Sequence, residues 1–177
     1  MKNLILIFFL IAITSVLNSQ ETTSRNGFTC STEFRYLPGK VYHIYNDKSF
    51  NWNSSFYEKN IRLYAGYFFN PQVNVNMGIG ADRHRSGLPL FLQAKYYLSE
   101  NKNSFYFAGE VAYRIHEKTK HFKSYDFNVF IGKEFSLSKL FAINLHAGYD
   151  FNRADFGTNS PKDNYHAFLL GVAFMLK

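Results

Sequence analysis

The chain has one cysteine, Cys30, and one tryptophan, Trp52, in 177 residues. A single thiol closes no internal disulfide, which excludes a small disulfide-stapled scaffold. Cys30 also stands too far beyond the N-terminal apolar run to carry a lipoprotein's lipid, and no Leu-x-x-Cys precedes it. Past Leu17 there is no long apolar run, and mean hydropathy is −0.24. A bundle of membrane-crossing helices, each needing about 20 apolar residues, is therefore excluded. Acidic residues are in deficit, 13 against 20 lysines and arginines, for a formal charge of +7. There is no repeat, low-complexity tract or interdomain linker, and the length suits one domain.

The first residues do not belong to that domain. Lys2 and Asn3 form a short basic head, residues 4–17 are apolar, and the small Ser19 follows. This is the layout of a secretory signal peptide, with cleavage expected near Ser19. Residues 1–19 are thus expected to be a leader and residues 20–177 the mature domain. An exported chain does not meet nucleic acid, so no nucleic-acid partner is expected. Much of the basic surplus lies in segments between the strands, and anionic lipid headgroups are the more plausible neighbour.

What the chain has in plenty is aromatic residues, 20 Phe and 13 Tyr. A mildly hydrophilic chain rich in aromatics suggests strands with one greasy face. Alternation with period two runs through almost the whole mature part. Val73, Val75, Met77, Ile79 and Ala81 alternate with Asn74, Asn76, Gly78, Gly80 and Asp82. The same rule holds over residues 61–69, 90–98, 105–115, 125–135, 141–152 and 167–176. These seven strands exceed the common soluble length of about 5–6 residues and match the about 9–11 of a tilted bilayer-spanning strand. An eighth is needed to close the sheet, over residues 28–37 or, alternatively, 41–45. Short connections at 70–72, 99–103 and 136–139 alternate with longer ones at 83–87, 117–124 and 153–164, the longest being 38–56. Short periplasmic turns opposite long extracellular loops are the layout of outer-membrane barrels. The expected fold is all-β: an eight-stranded antiparallel up-and-down transmembrane β-barrel after a cleaved signal peptide, in the cell outer membrane of a Gram-negative cell.

Three features point the apolar phase toward lipid. An eight-stranded barrel has room inside only for side chains, and the second phase is full of Gly, Ala and Asn. In the strands, the apolar phase carries one charge, Lys133, near a periplasmic end, where a charge costs little. The other phase holds Arg62, Asp82, Lys95, Glu110, Arg114, Asp126, Glu134, His146 and Asp150, candidates for a polar network in the lumen, where mixed signs can pair. Phe69, Phe105, Phe135, Phe141 and Phe174 near one set of strand ends, and Tyr113, Tyr125, Tyr149 and Phe168 near the other, form two interfacial girdles.

Residues 66–73, Gly-Tyr-Phe-Phe-Asn-Pro-Gln-Val, running into Gly78-Ile79-Gly80-Ala81-Asp82, and Leu88-Pro89-Leu90-Phe91-Leu92 before Lys95-Tyr96-Tyr97, resemble small outer-membrane β-barrel domain proteins of the Bacteroidetes type, the barrels of outer-membrane proteins A and X. Such barrels end in a strand patterned Gly-x-x-apolar-x-aromatic that the barrel-assembly machinery reads. Gly171, Phe174 and Leu176 fill those places, with two departures: Leu176 is not aromatic, and Lys177 follows it.

No catalytic motif stands out, and no enzyme is expected. His84-Arg85-Ser86 resembles the His-x-Ser pair of outer-membrane lipid hydrolases, but no partner acid can be assigned. His43, His116, His121 and His166 near strand ends have no diagnostic metal spacing, so neither metal nor cofactor is expected. Arg83, Arg85, Lys118, Lys120 and Lys123 make a basic outer rim suited to lipopolysaccharide phosphates. The expected role is structural or interactive, through extracellular loops around a side-chain-filled lumen. The alternatives are a narrow solute channel, a lipid-modifying enzyme and a secreted lipocalin-like carrier, though the Gly-x-Trp motif and C-terminal helix of the last are missing.

Overall fold

A computed structural model describes residues 25–45, 49–82, 88–101, 103–115, 123–155 and 162–177. Eight strands follow one another: β1 (Gly27–Tyr45), β2 (Ser49–Asn70), β3 (Val73–Asp82), β4 (Leu88–Tyr97), β5 (Phe105–Ile115), β6 (Lys123–Ser136), β7 (Phe141–Asp155) and β8 (Lys162–Leu176). Each pairs antiparallel with its sequence neighbour, and β1 pairs with β8 to close the barrel. The chain is all-β, and among the described residues no helix is long and apolar enough to cross a membrane.

The two alternatives for the first strand are one element, because β1 covers residues 28–37 and 41–45 together. The loop expected over 38–56 is correspondingly replaced by a long hairpin, in which Pro38 faces Tyr57 and Tyr45 faces Ser49. Pro38 reads as a breaker because it has no N–H to donate. The barrel accommodates it where pairing to β8 is interrupted, between Tyr36↔Leu170 and Gly39↔Ala167. Strands β7 and β8 likewise run into the expected 153–164 loop, as far as Asp155 and Lys162.

Both β1 at Gly27 and β8 at Leu176 meet the end of the barrel that carries the short turns at 71–72, 98–104 and 137–140. At the first of these, Asn70 Oδ1 accepts the amides of Gln72 (2.9 Å) and Val73 (2.8 Å). This side-chain turn, with Pro71 inside it, fixes the tight reversal. By the outer-membrane rule this end is periplasmic.

The two phases separate as the charges require. Leu63, Met77, Leu92, Phe107, Val111, Phe127 and Leu145 are exposed on the outside, while Asn74, Asn76, Gln93, Glu110, Asn128 and Asn144 are buried inside. On β4 the exposure alternates at every residue. Water would not tolerate so continuous an apolar exterior, whereas hydrocarbon does. The interior holds more bulk than Gly, Ala and Asn alone: Phe68, Tyr97, Tyr106 and Phe130 are buried there, with ring centroids 5.6, 5.2 and 6.4 Å apart in succession. Glycine makes that possible at two places. A Cβ on Gly132 would strike the Tyr106 ring, and one on Gly171 the His146 imidazole.

Candidate functional site

The lumen is crossed by side chains in tiers. The central tier is built on Glu110, which β5 points inward between Gly109 and Val111. Its two carboxylate oxygens each take three donors. Oε1 accepts Arg35 Nη1 at 2.8 Å, Asn128 Nδ2 at 2.8 Å, and Arg62 Nη1. Oε2 accepts Arg35 Nη2 at 2.9 Å, the Tyr64 hydroxyl at 2.6 Å and Gln93 Nε2 at 2.9 Å. A carboxylate offers about four lone-pair sites, so this one is saturated. The donors come from β1, β2, β4 and β6. One acid on β5 therefore ties five of the eight strands together across the axis.

Arg35 extends the tier. Its two Nη atoms grip Glu110 bidentately, the strongest form of charged hydrogen bond, while its Nε donates to Glu33. Glu33 Oε1 is also 3.0 Å from His146 Nε2, and Tyr106 Oη is 3.3 Å from His146 Nδ1. Arg62 lies with its guanidinium carbon 4.0 Å from the centroid of the Phe91 ring, and Arg35 similarly sits 5.0 Å over Phe130. Two carboxylates and two guanidiniums thus share one water-poor volume, flanked by aromatic faces.

The periplasmic tier centres on Glu134. It accepts Arg25 Nε at 3.0 Å, the Tyr97 hydroxyl at 3.0 Å and Lys177 Nζ at 2.7 Å. Arg25 Nη1 additionally donates to the Ser99 carbonyl at 2.8 Å, and its guanidinium lies 4.2 Å from the Tyr97 centroid. Residues just before β1 and just after β8 so meet on one acid at the mouth. Toward the extracellular side, Arg114 Nη2 and Asp126 Oδ2 are 3.6 Å apart, and Asn152 Nδ2 donates to Ser124 Oγ at 2.8 Å.

Arg62, Lys95, Glu110, Arg114, Asp126, Glu134, His146 and Asp150 are all buried in the lumen. The geometry splits them among tiers: Arg62, Glu110 and His146 in the centre, Glu134 below, Arg114 and Asp126 above. Lys95 sits with its Nζ 5.3 Å from the Tyr106 centroid. Asp82 ends β3 opposite Asn60, and its side chain lies outside the described residues. Also outside them are residues 1–24, the His84-Arg85-Ser86 triplet, His116, His121, Lys118, Lys120, Arg83 and Arg85, as are the side chains of His43 and Lys123. Gly171, Phe174 and Leu176 lie on β8. The Phe174 and Leu176 side chains are exposed on the outer face, and Phe174 meets Phe34 edge-on at 6.5 Å. Sequence reasoning missed Arg25, Glu33, Arg35 and Lys177. For Glu33 and Arg35 the signal was present, since Phe28, Cys30, Phe34 and Tyr36 outside leave those two inside.

No family model matches the chain, and no curated protein does. Among solved structures, Neisserial surface protein A is similar, with a TM-score of 0.52 and 15% identity over 83% of this chain and 96% of that one. The outer-membrane protein OprG from Pseudomonas aeruginosa is also similar, with a TM-score of 0.50 and 13% identity over 86% of this chain and 96% of that one. At such identities the likeness is one of fold. Together with the apolar exterior, it makes this chain a closed eight-stranded membrane barrel of the outer-membrane type.

Proposed function

We propose that the protein is a closed, non-catalytic outer-membrane barrel whose lumen serves as a structural strut, with its contacts made by its extracellular parts. The observation that carries this reading is Glu110, held by six hydrogen bonds from four other strands. A pore needs a continuous wet path. Here the axis is filled at mid-height by a saturated carboxylate, two guanidiniums and the rings beside them. Removing one partner from a buried charge pair costs about 3–5 kcal/mol, so thermal opening of this tier is rare.

Two partners fit the reading. The barrel-assembly machinery would take the β8 terminus through Gly171, Phe174 and Leu176, and phosphate-bearing outer-leaflet lipid would meet the basic segments. Planar-bilayer recording of the purified full chain tests the central claim. The expected trace stays at baseline. Steady, ohmic current from the unmodified protein would overturn it in favour of a narrow solute channel lined by Arg62, Glu110, Arg114 and Asp150.

A further inference from the structure

The outer wall of the barrel segregates charge by sign. Among the described strand side chains, every carboxylate is buried on the lumen face: Glu33, Glu58, Glu110, Asp126, Glu134 and Asp150. Every charged side chain on the outer face is a cation: Lys40, Lys59, Lys133 and Arg153. Lys133 is in the periplasmic half of β6, its Nζ 4.9 and 5.2 Å from the Phe105 and Phe135 centroids. The other three lie in the extracellular halves of β1, β2 and β7.

Two of these cations, Lys40 and Lys59, each line one of two neighbouring hollows that share Tyr57 as a wall. The upper hollow, about 350 Å³, is bounded by Lys40, Tyr57, Tyr149, His166 and Phe168, with the Tyr149 hydroxyl bonded to His166 Nδ1. The lower one, about 1220 Å³, is bounded by Phe34, Lys59, Ile61, Ala81, Leu170 and Val172. Tyr57 borders both and stacks on Tyr36 at 6.1 Å, with an interplanar angle of 7°. The lower hollow alone exceeds the about 300–1,000 Å³ of ordinary ligand pockets. It is an apolar furrow on the hydrocarbon side of the wall, and its upper end is cationic.

We infer that this furrow is a binding site for a bisphosphorylated, acylated lipid of the outer leaflet, its acyl chain along Phe34, Leu170 and Val172 and its two phosphates at Lys40 and Lys59. The chemistry on the wall selects that class. An apolar furrow with cations at its extracellular end fits an anionic amphiphile, and the described charged strand side chains on the outer face are all cations. Lys40 on β1 faces Ser55 of β2, four residues along that strand from Lys59. Four residues of strand at about 3.3 Å each, and one strand spacing of about 4.8 Å, separate the two lysines by about 14 Å. A single phosphate does not span that width, whereas a disaccharide head with a phosphate at each end does. The inference rests on the membrane-barrel fold, and it holds whether or not the lumen conducts.

Native mass spectrometry of the full chain in micelles tests it, with bisphosphorylated lipid A, its monophosphorylated form, phosphatidylglycerol and phosphatidylcholine offered in turn. One lipid A per barrel is expected, bound more tightly than the monophosphorylated form, with phosphatidylcholine weakest. Lys40→Gln and Lys59→Gln should each weaken lipid A roughly fivefold, the effect of one surface cation on an anionic lipid. Lys133→Gln, on the opposite interface, should leave binding unchanged. Val172→Trp, which fills the furrow and leaves every charge in place, should also weaken it. Heat-modifiable gel migration confirms that each variant is a folded barrel. Phosphatidylcholine bound as tightly as lipid A would overturn the inference. So would a Lys40→Gln, Lys59→Gln double variant that binds like the parent, or a Lys133→Gln variant that loses as much as Lys59→Gln.

Discussion

Glu110 is the residue on which the interior is balanced. Its charge is shared by Arg35 and Arg62, and its remaining lone pairs are filled by Tyr64, Gln93 and Asn128. Glu110→Gln keeps the shape but removes the charge and turns one acceptor into a donor facing donors. It would leave two buried guanidiniums with Glu33 as the nearest carboxylate. The expected loss is about 3–5 kcal/mol in folding free energy. Asn128→Ala removes one neutral donor from a charged acceptor, and its expected loss is smaller, about 1.5–3 kcal/mol. Urea unfolding in micelles, followed by gel migration, measures both. Equal losses for the two variants would mean that the charge on Glu110 does not matter to the fold.

At the scale of the strand, each element is a two-faced ribbon, and its function follows from which face meets hydrocarbon. Val129 is near the middle of β6 and points outward, whereas its neighbour Asn128 points to Glu110. Val129→Arg places a cation near the bilayer midplane and is expected to cost about 2–4 kcal/mol. Arginine at Phe135, at the interfacial end of the same strand, should cost about 0–1 kcal/mol. Folding titrations into phosphatidylcholine vesicles separate the two, and equal costs would argue that β6 does not cross the bilayer. The same two-faced property is why most of the fold was legible. Period-two alternation needs only local sequence, and it marked the cores of seven strands and the face each turns outward. It failed where local signals conflict with pairing. Pro38, Gly39 and the Asn- and Ser-rich stretch before Phe56 look like loop, yet β1 and β2 zip through them because each supplies the other's backbone partners. Two stretches, 28–37 and 41–45, compete for the first strand in the sequence, so alternation alone does not assign Glu33 and Arg35 to the lumen. Arg25 and Lys177 were not legible at all, since they sit outside any alternating stretch and only barrel closure brings both to Glu134.

For the whole molecule, the tiers act in series along one axis. Arg25, Glu134 and Lys177 fill the periplasmic mouth; Glu33, Arg35, Arg62 and Glu110 fill the centre; Arg114, Asp126, Ser124 and Asn152 fill the upper lumen. Between the first two lie Tyr97, Tyr106 and Phe130, buried and in contact. Blocks in series have a consequence that a single gate does not. Clearing one leaves the others shut, because ion flow is limited by the narrowest remaining segment. Glu134→Ala alone should therefore stay silent in planar bilayers, and so should a Glu110→Ala, Arg35→Ala double variant. Current should appear only when every tier is cut back, with Tyr106→Ala and Phe130→Ala for the aromatic one and with the periplasmic and upper tiers truncated as well, in a barrel that still shows heat-modifiable migration. If the Glu110→Ala, Arg35→Ala variant alone conducts steadily, the central tier is a gate and the other tiers are already wet. The lumen would then be a channel held shut at one level, not a strut filled along its length.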